Sequence, residues 1–491
     1  MPGSISALRR RVNPEGGALL DEFAEANAEL AKAALGGPGK TPAEEYKKRL
    51  AALEHRREQL EAAISVRSAE FRAQSQPVTV AAVSAAIPAS AALIEIILFH
   101  PYDPRLWDGD DAYGDHHYAV YVLRSDGVSG ARDLGPAKPI DDAVEALRTA
   151  LRNPRRKDAA ELARAVDERV MRPARALAAD AKQLLISPDG DLNLIPFEAL
   201  IDEEGRYLLE RYSISYLTTG RDLLRIAVPR PSKTGMVVIA NPYFGKPAGT
   251  EAGRAPWAKH RSVTTGNDLE SVYFAPLAGT AAEARAIQSL FPSAAVLTGQ
   301  QATKASLERL EAPRLLHIAT HGFYLQQPNA KVSSGGGAST RAIQAGAKIE
   351  NPLLRSGLAL AGANLGKTTK ENGILTALEA ANLNLWGTKL VTLSACESGV
   401  GEVKNGEGVY GLRRAFFLAG AESVVMSLWS VSDRVTQEMM TAYYTGLKNG
   451  MGRGEALRQA QLAMLKRGDR RHPFYWASFI QSGDWRNLEG K

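Results

Sequence analysis

One cysteine, Cys396, occurs in 491 residues. A lone cysteine excludes an internal disulfide and any cysteine-based metal cluster. It also fits a reducing setting, so a cytoplasmic location is expected. Long apolar runs are lacking too. No stretch reaches the ~20 residues that a membrane helix needs; the longest candidate, residues 78–99, is interrupted by Pro88 and carries Glu95. The opening MPGSISALRR has no apolar stretch of the kind a secretory leader uses, so none is expected. Massed charge of one sign is missing as well. The 60 Lys+Arg against 54 Asp+Glu leave +6, and Arg148, Arg152, Arg155, Arg156 and Arg164 are spread along helical segments. That pattern reads as a solvated face rather than a nucleic-acid footprint, and no zinc-finger, RRM or P-loop spacing accompanies it.

What is present is an ordinary globular composition, 45% hydrophobic and 23% charged, over a length that suits two or three domains. Residues 17–35 read as an alanine-rich helix ended by Gly36-Gly37-Pro38-Gly39. A longer helix follows, with Thr41 as cap, Pro42 in its first turn and Glu44 placed for a capping box. Its apolar positions run Tyr46, Leu50, Leu53, Leu60, Ile64 and Phe71 before Gln76-Pro77 stops it. A helical hairpin over 1–78 is the expectation, either packed on the next domain or serving as a docking arm for a regulatory protein partner.

From about residue 90, strands alternate with helices. Leu93–Phe99, Tyr118–Leu123, Leu184–Ile186, Met236–Ala240, Ala295–Leu297, Leu315–Ala319, Lys389–Leu393 and Ser423–Leu428 read as strands. Segments at 140–152, 159–179, 281–290, 304–310, 410–419 and 435–448 read as helices. Such alternation implies a largely parallel sheet covered on both faces, divided here into units at 90–230 and 231–491.

In parallel sheets, function collects at the carboxyl ends of strands. Two ends stand out: Leu315-Leu316-His317-Ile318-Ala319-Thr320-His321-Gly322, and Leu390-Val391-Thr392-Leu393-Ser394-Ala395-Cys396-Glu397-Ser398-Gly399. If the strands are neighbours, His321 and Cys396 leave the sheet at one edge. An imidazole beside a thiol is a base for a nucleophile and an acid for the leaving amine. The backbone N–H groups of Gly322 and Cys396 are the natural oxyanion donors. Taken singly, a buried cysteine is a small core residue and a buried histidine a satisfied polar group. His317 lies within its strand, four residues too early, so His321 is the expected base.

These motifs resemble the CHAT family of caspase- and separase-like cysteine proteases. The resemblance extends over Gly406-Glu407-Gly408, Leu412-Arg413-Arg414-Ala415-Phe416, Ala419-Gly420-Ala421, Ser427–Asp433 and Ala477-Ser478-Phe479. Upstream it includes Ile186–Gly190 and Ile195–Leu200, so that it covers roughly residues 90–485. It implies a caspase-like fold, a His–Cys dyad, no metal and no organic cofactor, with residues 90–230 as a catalytically silent caspase-like unit. It also implies a protein substrate, such as a pore-forming, gasdermin-like effector in antiphage defence or regulated cell death. A scaffold without catalysis is the alternative. Many family members carry tetratricopeptide repeats, but no period of about 34 residues appears here.

By similarity to separases, Asp433 and Trp429 would line a pocket for a basic residue before the cut, arginine favoured over lysine. Equally, Asp433 would cap a helix starting near Val435. Glu397 and Glu407 are further acids near the site. An acidic preference is not expected, because no arginine occupies the strand beside Trp429. The glycine- and serine-rich stretch 326–351, with Lys331, Arg341 and Lys348, reads as a surface insertion or a self-cleaved gate. A second long loop spans 245–274.

Overall fold

The computed structural model describes residues 78–103, 105, 113–228, 230–245, 262–263, 273–324, 356–365, 373–395, 407–429 and 431–490, with scattered positions between 18 and 60. Those scattered positions, Pro42 apart, are helical. Arg56 comes within 3.7 Å of Glu29, which joins the two stretches of the expected hairpin. The rest of that hairpin, Cys396 to Gly406, and the stretch 326–351 with its three basic residues lie outside the described residues.

Fifteen strands are described, and eleven form one sheet. They are β1 (Ala91–Phe99), β2 (His117–Arg124), β3 (Ser129–Pro136), β4 (Gln183–Ser187), β5 (Ser213–Tyr216), β6 (Thr234–Pro242), β8 (Ala295–Gly299), β9 (Pro313–Ala319), β13 (Leu390–Leu393), β14 (Ser423–Ser427) and β15 (Phe479–Gly483). The order is β3-β2-β1-β4-β5-β15-β14-β13-β9-β6-β8. All neighbours are parallel except β1–β2, β2–β3 and β14–β15. The sheet is therefore mostly parallel, with helices packed on it, as the alternating sequence pattern and the resemblance both implied. The buried strands read as continuous apolar runs because both faces are covered.

Two halves of the chain meet in this sheet. Strand β5 from the first half pairs with β15, the last strand, at Ser482 and Tyr216. A single apolar core runs from Ala92 to Ile480 across both. Three of the eleven strands are missing from the strands read in the sequence: β3 is largely exposed and carries no apolar alternation, β5 has only four residues, and β15 follows on from the Ala477-Ser478-Phe479 motif without a period of its own, as the helix Arg453–Leu465 precedes it. The expected helix over 159–179 is Ala159–Val166 and Arg172–Ala178 joined by a π turn at Asp167–Met171. There Asp167 and Arg175 form a buried ion pair.

A second, four-stranded sheet follows His321. It has the order β12-β11-β10-β7, from β7 (Ser262–Val263), β10 (Gly322–Tyr324), β11 (Ser356–Ala359) and β12 (Ile374–Thr376). Its own small core is Phe244, Phe274, Leu277, Phe323, Ala359 and Ile374.

The stretch Ile195–Leu200 is buried, and Glu198 is the one carboxylate within it. The Tyr216 hydroxyl donates to Glu198 Oε2 at 2.6 Å. Burial pushes the Glu198 carboxyl up to about 7, against the opposing effect of that hydrogen bond. A carboxyl raised in the folded state is a liability once the unfolded chain ionises, so its cost grows from pH ~4.5 to ~7 and then levels off. Glu198→Gln should therefore raise the thermal midpoint at pH 8, by removing about 2–3 kcal/mol of cost, and change it little at pH 4. Thermal scans of both proteins at the two pH values check this; an equal effect at both would remove Glu198 as the cause.

Candidate active site

Strands β9 and β13 are direct neighbours and parallel, with Ile318 opposite Leu393. The ladder continues one residue further, where Ser394 N–H donates to Ile318 O at 2.9 Å. The next carbonyl, Ala395 O, accepts from Ser427 Oγ on β14 at 3.0 Å. So the described chain leading to Cys396 is pinned on both sides, up to the residue before it. His321 lies three residues beyond Ile318, as Cys396 lies three beyond Leu393. Both strands deliver their ends to one edge of the sheet.

His321 is buried, at the junction between β9 and the small sheet. Its Nε2 is 2.8 Å from Ala275 O. A carbonyl oxygen only accepts, so Nε2 carries a proton and Nδ1 is the basic nitrogen of the neutral ring. Phe244 and Phe274 sit beside the imidazole, with ring centroids at 5.2 and 5.8 Å. They keep water away from the ring. The backbone is fixed as well: Ala359 N–H donates to His321 O at 2.9 Å, and Thr320 Oγ donates to Ala359 O. Gly322 begins β10, paired with Leu358 of β11 and Ser262 of β7.

His317 has another place altogether. It is fully buried beneath the edge, between β9 and the helices Ala278–Leu290 and Asp433–Lys448, in contact with Tyr444 and Glu283. It is therefore not at the strand end with His321, in keeping with its position inside the strand.

Trp429 follows β14 and is 3% exposed, with its indole N–H donating to Phe474 O at 3.0 Å. Asp433 is the first residue of its helix, with Ser432 at the cap position. The helix thus starts two residues earlier than the sequence suggested, and Asp433 is not its cap. Its carboxylate packs against Gly279 in the first turn of the helix Ala278–Leu290; a Cβ at 279 would lie only 1.9 Å from Asp433 Oδ2. Only glycine fits there. Asp433 and His321 thus bear on the same short segment, at Gly279 and Ala275. Glu397 lies outside the described residues, as does the side chain of Glu407.

Two contacts tie the first half of the chain to this region. Arg152, from the first half, brings Nη2 within 3.5 Å of Leu428 O, next to Trp429. An arginine therefore does reach the residue before Trp429, though from outside its strand. Arg413, on the helix Glu407–Leu418 that follows the cysteine loop, donates to Asn193 Oδ1 of the first half at 2.8 Å. Both are long-range pairings of single residues, which no local pattern announces.

Among the described residues, no cluster of His, Cys, Asp and Glu could hold a metal ion, and no helix is long and apolar enough to cross a membrane.

Comparison with known proteins agrees with the motif pattern. Residues 160–484 match the family model described as the CHAT domain. Tetratricopeptide repeat protein 28 of Homo sapiens is 27% identical over 316 residues, and its Mus musculus counterpart 26% over 333. Each alignment covers 62% of this chain, which spans only 12% of either relative's length. Among solved structures, the Saccharomyces cerevisiae separase–securin complex aligns over 96% of this chain and 27% of that chain, at 12% identity and a TM-score of 0.35. The Arg-specific cysteine proteinase gingipain R aligns over 71% and 74%, at 10% identity and a TM-score of 0.34. Scores that low settle nothing about this chain. The family match is of another order, since it takes in well over half of the 491 residues: the chain belongs to the CHAT domain family.

Proposed function

We propose that this chain is a cysteine endopeptidase in which His321 is the general base and Cys396 the nucleophile. The observation that carries the reading is the parallel register of β9 and β13, which sends the two chain segments off one edge in step. In the reaction, His321 Nδ1 takes the thiol proton and the thiolate attacks the peptide carbonyl. The backbone N–H groups of Gly322 and Cys396 receive the oxyanion. The imidazolium then returns its proton to the leaving amine, and water, with the same imidazole as base, hydrolyses the thioester. No metal or organic cofactor takes part. Ala275 O stabilises the imidazolium through Nε2–H, as a fixed dipole facing the developing charge.

The substrate would be a protein partner, cut after a basic residue held near Asp433 and Trp429, and the setting a cytoplasmic defence or cell-death response with a gasdermin-like target. Residues 90–230 would then be the silent caspase-like unit that completes the sheet beside the active one at 231–491, with the helices of 1–78 as a docking arm. The experiment is to add a peptidyl arginyl chloromethylketone and read intact mass. One adduct is expected on the wild type, none on Cys396→Ala, and about tenfold slower addition on Asp433→Asn. Equal rates for arginyl and leucyl versions of the reagent would remove the basic pocket. No adduct with any peptidyl reagent would favour a CHAT scaffold without catalysis.

A further inference from the structure

Beneath the proposed dyad lies a buried polar chain that the reaction above does not use. His317 is 0% and Glu283 1% exposed. His317 Nδ1 is 3.0 Å from Tyr444 Oη, and Tyr444 Oη donates to Thr392 Oγ1 at 2.9 Å. The tyrosine's one proton is spent on Thr392, so its oxygen accepts from His317 Nδ1–H. His317 Nε2 then faces Glu283 Oε1 at 3.2 Å, off-line for a hydrogen bond but at ion-pair distance.

A buried ionisable pair is a poor device for stability alone, because desolvation offsets its attraction. Its placement suggests another use. His317 and Thr392 are register partners on β9 and β13, and each lies four residues before a member of the dyad. Glu283 belongs to the helix Ala278–Leu290, and Tyr444 to Asp433–Lys448. The first of these helices is entered through Ala275, whose carbonyl holds His321 Nε2.

We propose that Glu283 and His317 are positioning residues for the catalytic base. They lock the helix Ala278–Leu290 onto the two dyad strands and so fix the Ala275 carbonyl against His321. Greasy side chains would fill the same space without setting the helix at one register, whereas the His317–Tyr444–Thr392 hydrogen bonds and the Glu283 carboxylate facing His317 hold it at one. The inference rests on the dyad reading.

The test uses the full chain, whose only cysteine makes alkylation a single-site readout. Chloroacetamide addition is followed by intact mass across pH 5.5–9.5, with thermal unfolding measured beside it. Tyr444→Phe and Glu283→Leu should slow addition at pH 6.5 by about 5–30-fold and move the midpoint up by ~1 pH unit. Glu283→Gln, which keeps the side chain's shape and a polar group facing His317 Nε2, should restore the rate to within ~3-fold of wild type. A purely structural role would lower the unfolding midpoint and leave the alkylation midpoint in place. If Tyr444→Phe and Glu283→Leu keep the wild-type midpoint while His321→Ala moves it, the positioning role is overturned and the dyad stands. If His321→Ala does not move it, both fall. Tyr444→Phe, a loss of one hydroxyl, decides the matter should Glu283→Leu fail to fold.

Discussion

His321→Ala is expected to lower peptide kcat/KM by about 10⁴-fold, close to the loss from Cys396→Ala. The reason is that in the proposed mechanism one imidazole does two jobs: it removes the thiol proton, and it supplies the proton without which the amine does not leave. Both depend on Nδ1 being the basic nitrogen, and the contact of Nε2 with Ala275 O makes it so. His317→Ala should behave differently. That ring is sealed under the sheet edge by Tyr444 and Glu283 and reaches no substrate, so its removal should retain measurable turnover. The double variant of His321 and Cys396 should be no worse than either single one, because residues that act as a unit do not add. Steady-state hydrolysis of a peptide identified by the arginyl reagent checks all four proteins. Additive losses in the double variant would separate the two residues into independent roles.

The other large effect concerns stability. Arg453 is fully buried where β14, β15 and the helix Arg453–Leu465 meet. Its Nη2 lies 2.6 Å from Asp484 Oδ2 and its Nη1 3.4 Å from Glu422 Oε2. It also donates to Lys389 O at 2.6 Å and Arg486 O at 2.9 Å. Arg453→Met fits the volume but strips buried carboxylates and carbonyls of their donor, so a loss of about 3–5 kcal/mol is expected. Urea unfolding at pH 7 reads it directly. Burial pushes the Asp484 carboxyl up, but hydrogen bonds from Arg486 and the charges of Arg453 and Arg486 outweigh that and hold it below the usual carboxylate range. A depressed folded value means stability that is present above the unfolded pKa, near 4, and is lost as pH falls through the folded one. The gap between variant and wild type should therefore be full at pH 7 and narrow below pH ~4. A gap that is constant with pH would assign the loss to packing rather than charge. Because β15 also carries the join to β5, the variant should loosen the first half as well.

How much of this could be read from sequence depends on range. The strands that end in His321 and Cys396 are apolar runs closed by glycine-bearing turns, a local signal, and the alternation around them implied a parallel sheet. The neighbour relation of β9 and β13 is not written in either strand's own sequence; the register sets Ile318 beside Leu393. Ala275 was invisible. It supplies a backbone oxygen, which any residue has, from a stretch with no pattern. The same holds for Arg152 at Leu428 and Arg413 at Asn193, single side chains that bridge more than 200 positions. Asp433 shows the limit most sharply. An acid two residues before an apolar helix reads as its cap, and nothing local reveals that the carboxylate instead leans on Gly279. His317 lies inside its strand, and spacing gives no hint of Glu283 and Tyr444 around it.

The most direct test of the central claim needs no substrate. Iodoacetamide modification of the single cysteine, followed by intact mass from pH 5 to 10, reports the thiolate alone. With a working dyad, wild type should react with a midpoint at least ~1 unit below the ordinary thiol value of about 8.5, and His321→Ala should return it there. Identical midpoints near 8.5 for both proteins would contradict the account, because Cys396 would then be an ordinary thiol with no base beside it.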